Sequence, residues 1–489
     1  MKTGTLIKMG CSSVAGAVAL TACARAKAGE QPGEKQQPNV IFILADDLGI
    51  GDVTPYGQKL IKTPNLDRMA EEGMRFTQAY SGTSVSAPSR ASLITGMHTG
   101  HTLIRGNLDA GPNGDPEGQA PMPAGTYTIG QMFKNVGYST GCFGKWGLGY
   151  PGSESDPTKV GFDRFMGYNC QALAHDYYPD HLWSDTTRIE LVENYNQAES
   201  TYSADMIHAR AMDFITEKGR SGQPFFAFLA YTLPHAELVL PHDSVYHEYC
   251  RVIPEADEKA WICGNPFARG AYGTSERPLA SFASMVTRLD RYVGDVLDKL
   301  KELGIDDNTL VIFTSDNGPH REGGANPDYF NSYGPYRGIK RDLYEGGIRM
   351  PFIARYPGKI EAGSVTDHII AFWDMMPTFA SLVGSTDSID TDGISFLPTL
   401  MGAEEQPAHP YLYWEFHEQG GKQAVRMGNW KGVRLNVGYP SKTIFELYDL
   451  STDIHEDNDV ASAHPEIVAR ISELMDSVRT PSSLFNFRH

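Results

Sequence analysis

The sequence predicts an α/β protein with one large, mostly parallel sheet, followed by a smaller antiparallel sheet near the carboxyl end. Three apolar runs, residues 39–44, 224–230 and 309–314, have the continuous hydrophobicity of strands that are buried on both faces. Helical patterns with one apolar stripe lie between these runs, as over residues 64–73 and 281–303. Strands that alternate with helices in this way favour an open sheet that is mostly parallel.

The segment that follows residue 405 has a different pattern. Short apolar segments lie close together there, and a helical pattern over residues 465–478 follows them; the segments are residues 411–414, 423–426, 430–433 and 445–448. Close spacing of this kind predicts a small antiparallel sheet with one packed helix. We therefore expect a main domain over residues 38–405 and a C-terminal α+β subdomain over residues 406–489.

Length and composition are those of a globular protein. The chain has 489 residues, of which 41% are hydrophobic and 21% charged, which excludes a disordered chain, a fibre or a multi-span membrane protein. Its 60 acidic and 42 basic residues give a net charge of −18. Because nucleic-acid-binding proteins carry a basic surface, this acidic balance predicts that nucleic acid is not a partner.

The first 37 residues predict export. Two lysines within residues 1–8 precede a short apolar stretch that ends in Leu20-Thr21-Ala22-Cys23, the layout of a secretory signal and too short to span a membrane. The ending resembles a bacterial lipobox. We therefore expect a lipoprotein signal peptide over residues 1–22, lipidation of Cys23 and a tether over residues 23–37, with simple cleavage as the alternative. The predicted location is membrane-anchored and periplasmic, with the cell surface as the second possibility.

The other cysteines are too far apart to suggest a metal or redox motif. Beyond the first 37 residues the cysteines are Cys142, Cys170, Cys250 and Cys263, and none of them forms a CxxC pair, which argues against a zinc knuckle or a thioredoxin-like site. A Cys250–Cys263 disulfide would be compatible with export. Four cysteines allow three full pairings, and the sequence does not choose among them.

Two predicted strands end in pairs of oxygen-bearing side chains. Asp46 and Asp47 follow the first strand, and Asp316 and Asn317 follow a later one. Sites in open α/β sheets form outside the carboxyl ends of the strands. Three carboxylates and an amide oxygen suit Ca²⁺ or Mg²⁺ and fit Zn²⁺ poorly. Either pair alone is more often a turn or a helix cap, so the predicted metal site depends on both pairs together.

A third element is the segment Ser86-Ala-Pro88-Ser-Arg90. Pro88 suits the first turn of a helix, which would place Ser86 at the helix N-terminus. Backbone N–H groups and the helix dipole favour an anion at that point. A serine N-cap followed by proline is the plainer interpretation, and spacing alone does not exclude it.

The same segment, with the Ala-Ser-Leu-Ile-Thr-Gly that follows it, resembles the signature of the type I, formylglycine-dependent sulfatases. Other family-like blocks run along almost the whole chain after the tether; they are residues 39–49, 63–68, 144–146, 314–318, 338–340, 345–349, 374–378 and 446–450. The resemblance implies an alkaline phosphatase-like sandwich with a large mixed sheet. It also implies that residues 38–405 form the sulfatase catalytic domain.

The resemblance further implies a nucleophile and a metal site. Ser86 would be oxidised to formylglycine by an oxygen-independent radical-SAM maturing enzyme, and the hydrate of that group would attack the sulfur of a sulfate ester. Unmodified serine is a weak nucleophile without a base. Ca²⁺ would be held by the modified residue 86 and by the two strand-end pairs, Asp46, Asp47, Asp316 and Asn317.

The remaining catalytic positions are also implied by the resemblance. Arg90 would stabilise the formylglycine, and Lys145 and Lys340 would neutralise the sulfate oxygens. His235, which follows the strand at residues 224–230, would protonate the leaving alkoxide. A packing histidine after a strand is the alternative for His235.

One position departs from the family pattern. Many relatives read Gly-Lys-Trp-His-Leu-Gly, and that histidine bonds the hydroxyl of the hydrate, whereas this chain has Gly147 at the position. His175 is the predicted replacement donor, by analogy with a family contact in this region. The alternative is that the site works without such a donor.

Segments rich in aromatic and hydrogen-bonding side chains predict a sugar site. The predicted substrate-binding residues are Arg105, Asn107, Gln171, His175, His320, Trp414 and Glu415. These segments resemble those of carbohydrate sulfatases of Bacteroidetes. The resemblance implies an exo-acting enzyme that removes O-sulfate from galactose or N-acetylgalactosamine, with the 4-O position expected. It also implies a role in the degradation of host or algal glycans. The alternatives are a phosphoester hydrolase of the same superfamily and a catalytically silent, lipid-anchored glycan binder.

Overall fold

The structure is a computed structural model that describes residues 37–109, 117–266, 268 and 270–487. The signal peptide and Cys23 lie outside the described residues, as does all of the tether except Gln37. Export and lipidation therefore stay predictions. Within the described ranges, no helix combines the length and the apolar character that a membrane crossing requires.

The large sheet is mixed and mostly parallel, as predicted. The strands of the large sheet are β1 (Asn39–Ala45), β2 (Met74–Tyr80), β3 (Ser139–Lys145), β4 (Arg164–Tyr168), β5 (His181–Ser184), β6 (Thr187–Glu190), β7 (Phe225–Ala230), β8 (Thr309–Ser315), β9 (Arg349–Arg355), β10 (Ser364–Thr366) and β11 (Ile370–Ala371). The strands of the small second sheet are β12 (Leu412–Phe416), β13 (Lys422–Met427), β14 (Trp430–Leu435) and β15 (Ile444–Asp449). The order in the large sheet is β10-β2-β9-β8-β1-β7-β3-β4-β5-β6, with β11 beside β2. Strands β8, β1, β7, β3 and β4 run parallel to one another, and β9 pairs antiparallel with both β8 and β2.

Helices cover both faces of this sheet. They are α1 (Pro64–Glu71), α2 (Ser86–Thr95), α3 (Ile129–Asn135), α4 (Ser203–Ser221), α5 (Ser244–Val252), α6 (Pro278–Leu303), α7 (Pro327–Phe330), α8 (Glu345–Ile348), α9 (Met375–Val383), α10 (Leu397–Leu400) and α11 (Pro465–Ser477). Successive side chains of β1 point to opposite faces. Ile41 and Ile43 pack in one core cluster with α4 and α6, whereas Phe42 packs in a second cluster with α3 and α9.

The second sheet follows residue 405, where the change of pattern predicted it. Strands β12–β15 form an antiparallel meander, and α11 covers one face of it through Ile471 and Met475. The opposite face shares a core cluster with residues of the main domain, in which Trp414 packs against Trp373 and Tyr80. The two sheets therefore share buried apolar surface. No disulfide joins the four cysteines in the described part of the chain, so the Cys250–Cys263 bridge is absent from this structure.

A buried ion cluster also joins the second sheet to the main domain. Lys431 of β14 is fully buried, and its Nζ lies 2.8 Å from Glu345 Oε1 and 3.0 Å from Glu456 Oε1. Glu345 also pairs with Arg349 at 3.0 Å. Because removing one partner of a buried ion pair leaves an uncompensated charge, this cluster should be sensitive to a change at Lys431.

We expect Lys431→Met to destabilise the protein by about 3–5 kcal/mol, because two buried carboxylates lose their common cation. The measurement is the free energy of unfolding from urea denaturation, with the thermal midpoint as a second readout. The matched control is Lys62→Met, which removes a pair with Glu248 whose lysine side chain is 70% exposed. A surface pair of this kind contributes about 0–1 kcal/mol, so equal losses in the two variants would contradict the interpretation.

Candidate active site

The parallel pairing of β1 with β8 brings the two strand-end pairs together. Ala45 and Ser315 are partners in the ladder, so the residues that follow them leave the sheet side by side. The N–H of Asp47 donates to Asp316 Oδ1 at 3.2 Å, and Asn317 Nδ2 donates to Asp47 Oδ1 at 2.6 Å. The side chains of these residues and of Asp46 are all buried, as a site at the carboxyl ends of parallel strands requires.

Ser86 is the first residue of α2 and lies against these carboxylates. The residue that caps the helix is Val85, and the Ser86 hydroxyl donates instead to Asp46 Oδ1 at 2.9 Å. The simple N-cap interpretation of Ser86 is therefore wrong. Asn107 accepts a hydrogen bond from the N–H of Ala87 at 3.2 Å, so its side chain supports the first turn of this helix.

Three buried cations balance the carboxylates around Ser86. Arg90, one turn further along α2, lies 2.9 Å from Asp316 and 3.4 Å from Asp46. Lys145, at the end of β3, lies 2.7 Å from Asp46 Oδ2 and 3.3 Å from Ser86 Oγ. Although burial opposes it, the charges of Lys145 and Arg90 hold the pKa of Asp46 well below its usual range.

The third cation, Lys340, joins the carboxylates to a histidine. Its Nζ lies 2.8 Å from Asp47 Oδ2, 2.7 Å from Glu322 Oε2 and 3.3 Å from His235 Nε2. His235 donates from Nδ1 to the carbonyl of Ala236, which leaves Nε2 facing the site. Burial and the ammonium groups of Lys340 and Lys145 hold the pKa of His235 well below its usual range, so the ring is neutral here.

Two more histidines stack beside His235. The ring centroids of His175 and His320 lie 4.9 Å and 5.9 Å from that of His235. Burial and Lys145 lower the pKa of His175 to about 4. His320 donates from Nε2 to the Pro234 carbonyl and accepts at Nδ1 from the N–H of Glu322. Both nitrogens of His320 are therefore occupied, so it positions the loop beside His235, and the predicted substrate contact would have to displace one of these bonds.

The oxygen-bearing residues fit a divalent cation. Asn317 Oδ1 is buried and accepts no hydrogen bond from any residue that the structure describes. Burial, and after it the charge of the neighbouring Asp46 carboxylate, raise the pKa of Asp316 to about 7. An orphaned amide oxygen among crowded carboxylates is the ligand set that Ca²⁺ or Mg²⁺ prefers.

Three predicted substrate residues are placed elsewhere, and these predictions are corrected. Trp414 is fully buried, and its indole N–H donates to the Ser81 carbonyl at 3.0 Å, so it presents no face to a sugar. The Glu415 carboxylate is also buried and pairs with Arg479 at 2.7 Å and with His417 at 2.7 Å. Arg105 donates to the carbonyl and hydroxyl of Thr480 and lies 3.5 Å from Glu415. These groups hold the C-terminal segment on the main domain.

Two residues of the site were not predicted from the sequence. Glu322 pairs with Lys340 and, through its other oxygen, with Arg341. Tyr272 packs beside His175 with its ring tilted by 44° and the ring centroids 5.1 Å apart. Glu322 follows the predicted site residue His320 by two positions, so its charge could have marked it as a candidate for the site. Nothing in the local sequence pattern distinguishes Tyr272.

Comparison with known proteins agrees with this geometry. The profile of the family described as sulfatase matches residues 38–385, and a profile described as N-sulphoglucosamine sulphohydrolase, C-terminal, matches residues 336–480. The N-acetylgalactosamine-6-O-sulfatase of Bacteroides thetaiotaomicron is 27% identical, covering 95% of this chain and 98% of that protein. Human N-acetylgalactosamine-6-sulfatase is 32% identical, covering 76% of this chain and 67% of its own length.

Solved structures give the same result. The crystal structure of Ps i-CgsB in complex with k-i-k-neocarrahexaose superposes with a TM-score of 0.74 at 27% identity, and covers 91% of this chain and 93% of that one. The family profile spans more than half of the chain and includes every residue of the buried cluster. The chain therefore belongs to the sulfatase family, the formylglycine-dependent hydrolases of sulfuric esters.

Proposed function

We propose that this sulfatase removes O-sulfate from galactose or N-acetylgalactosamine units of mono- or oligosaccharides, using Ser86 in its formylglycine form and one Ca²⁺. The observation that carries the proposal is the set of three buried cations, Arg90, Lys145 and Lys340, that pair with the carboxylates beside the Ser86 hydroxyl. These cations, together with the divalent ion that the carboxylates would hold, suit a small anion such as a sulfate ester. Oxidation of Ser86 by a radical-SAM maturing enzyme and anchoring at Cys23 belong to the same proposal.

Each group contributes to the hydrolysis in a defined way. Once modified, residue 86 supplies the nucleophilic oxygen that attacks the sulfur. Asp46, Asp47, Asp316 and Asn317 would hold Ca²⁺, which adds positive charge beside the nucleophile and the sulfate oxygens. Lys145 and Lys340 would hold the sulfate oxygens, because their Nζ atoms lie 2.7 Å from Asp46 and 2.8 Å from Asp47, beside the proposed nucleophile.

The leaving alkoxide needs a proton, and His235 is the group we assign to that step. Its Nε2 faces the site, 3.3 Å from the ammonium of Lys340, so a proton taken up at Nε2 during turnover can pass to the leaving oxygen. Arg90 is fixed by Asp316 and by the Lys145 carbonyl, which it reaches from Nη1 at 2.6 Å. A guanidinium held on two sides in this way keeps its position beside residue 86 during turnover.

The sulfated sugar is proposed from two sources. Two relatives are named for removal of a 6-sulfate from N-acetylgalactosamine. Exposed Asn107 and partly exposed Gln171 and His175 lie at the rim of the buried cluster, where they can contact a sugar ring. The names of these relatives favour a sulfate on O6 of the sugar. The sequence predicts a sulfate on O4, and that prediction is still open. The experiment on the sugar substrates therefore compares both positions.

We expect the tryptic peptide Phe76–Arg90 to carry a loss of two hydrogen atoms localised to Ser86. The protein should be purified from its native host, or from a strain that also expresses a radical-SAM maturing enzyme, and the peptide sequenced by tandem mass spectrometry. Ser86→Ala should fold, with an unchanged thermal midpoint, and release no sulfate. Sulfate release by protein whose Ser86 is entirely unmodified would contradict the assigned nucleophile.

Removal of divalent ions with EDTA should abolish sulfate release, and added Ca²⁺ should restore it. Asn317→Ala should lower the affinity for Ca²⁺ by at least about tenfold, because it removes a buried oxygen that has no other described partner. Isothermal titration calorimetry with Ca²⁺ measures this directly, and exposed Asn458→Ala is the matched control. Full activity in EDTA, or unchanged Ca²⁺ affinity in Asn317→Ala, would argue against the metal site.

We expect free sulfate from galactose or N-acetylgalactosamine that carries a 6-O-sulfate, and slower or no release from the 4-O-sulfated isomers. Ion chromatography measures sulfate and phosphate in the same run, so galactose 6-phosphate serves as the matched substrate for the rival phosphoesterase. Faster release of phosphate than of sulfate would refute the proposal. Binding of the sugars by fully modified protein without turnover would instead favour the silent glycan binder.

A further inference from the structure

The glycine at position 147 leaves a space that a neighbouring side chain fills. Gly147 lies two residues beyond Lys145 and has a φ of 74°, in the left-handed region that favours glycine. A Cβ at this position would lie 2.4 Å from Nε2 of Gln171 and 3.6 Å from Cδ of Arg90. The first distance is shorter than van der Waals contact, so the Gln171 amide occupies the space where a side chain of residue 147 would begin.

The Gln171 amide is held in place by the ends of two paired strands. Lys145 of β3 and Tyr168 of β4 are register partners, and Gly147 continues the pairing by donating its N–H to the Asn169 carbonyl at 3.0 Å. The segment that carries Gln171 is therefore fixed against the segment that carries Lys145. A side chain on rigid elements is better placed for a specific contact than one on a free loop.

The amide nitrogen of Gln171 has no hydrogen-bond partner among the described residues, although it is buried. A buried donor without an acceptor is costly, so such an atom in a folded protein calls for a ligand. The side chains of Gln171 and Arg90 both flank the position of a Cβ at residue 147, at 2.4 Å and 3.6 Å, and Arg90 also donates to the Lys145 carbonyl. Lys145 in turn reaches Ser86 Oγ at 3.3 Å.

His175, the donor predicted from the sequence to replace the missing histidine, lacks the required proton. Its Nδ1 lies 3.0 Å from the carbonyl of Gly270, which can only accept, so Nδ1 carries the hydrogen. The ring is neutral at ordinary pH, because burial and Lys145 lower its pKa to about 4. Its Nε2 is then an acceptor and cannot donate a hydrogen bond, whereas the amide of Gln171 carries two N–H bonds.

We propose that Gln171 Nε2 donates a hydrogen bond to the oxygen of the modified side chain at position 86, and that Gly147 is small because this amide needs the space. The inference rests on the proposed function, since it presupposes the formylglycine at residue 86. It changes the role of Gln171 from a sugar contact to a donor toward the nucleophile. Gly147 and Gln171 together then replace the histidine that many relatives carry.

The first test compares Gln171→Met, which keeps the length of the side chain and removes the donor, with wild type. We expect kcat to fall by about 10²-fold, the usual loss for one preorganised donor, while KM changes by less than about threefold. Exposed Gln223→Met is the matched control. Mass spectrometry should show equal formylglycine content in all three proteins, and equal thermal midpoints exclude misfolding.

A readout without substrate follows the formylglycine itself. A hydrogen bond to its hydroxyl favours the hydrated form over the free aldehyde, so Gln171→Met should react with an aryl hydrazide up to about tenfold faster than wild type. The product is a hydrazone formed with loss of water, and intact-protein mass spectrometry gives its rate. An unchanged capture rate together with an unchanged kcat would overturn the proposal, as would a rise in KM alone, which indicates a sugar contact.

A double-mutant cycle tests whether the two positions act as one unit. Gly147→Ala should displace the amide and lower kcat about as much as Gln171→Met, and the double variant should be no slower than either, because both changes remove the same hydrogen bond. Losses that multiply would overturn the coupling. Two other results would refute the proposed function rather than the role of Gln171. One is wild-type protein without formylglycine, and the other is wild-type protein that contains formylglycine and releases no sulfate.

Discussion

Three carboxylates buried at the ends of two parallel strands are the constraint on which the site depends. Charges removed from water are costly unless cations and hydrogen bonds compensate them. Lys145, Lys340 and Arg90 supply that compensation at 2.7–2.9 Å, and they come from three separate parts of the chain. The strand β3, the helix α2 and the loop before α8 must therefore all be in position before the charges of Asp46, Asp47 and Asp316 are balanced.

The parts of the site that follow from local pattern were predictable. A continuous apolar run predicts a buried strand, and parallel strands bring their carboxyl ends to one edge, so the sequence alone places Asp46 and Asp316 together. The order of the strands could not be derived in the same way. The pairing of β3 with β7, which brings Lys145 to the site, is a long-range contact that no local pattern encodes.

The incorrect predictions share a physical cause. Arg105 and Glu415 are charged, and Trp414 is a large aromatic, so in the sequence they have the composition of a sugar site. In the fold they satisfy one another or nearby carbonyl groups across the contact with the C-terminal segment. Residue type alone does not distinguish a side chain that binds a ligand from one that binds its own chain. The roles of Gly147 and Gln171 were invisible for a similar reason, because the space beside a glycine is defined only by what packs into it.

The burial of Ser86 has a consequence for the stage of folding at which this residue can be modified. The residue is 2% exposed and is enclosed by groups at the ends of β1, β3 and β8, of which β1 and β8 lie more than two hundred positions apart. An enzyme that works on this side chain cannot reach it once β8 has paired with β1. We therefore expect an enzymatic change at residue 86 to be made before β8 pairs with β1, while this part of the polypeptide is still open.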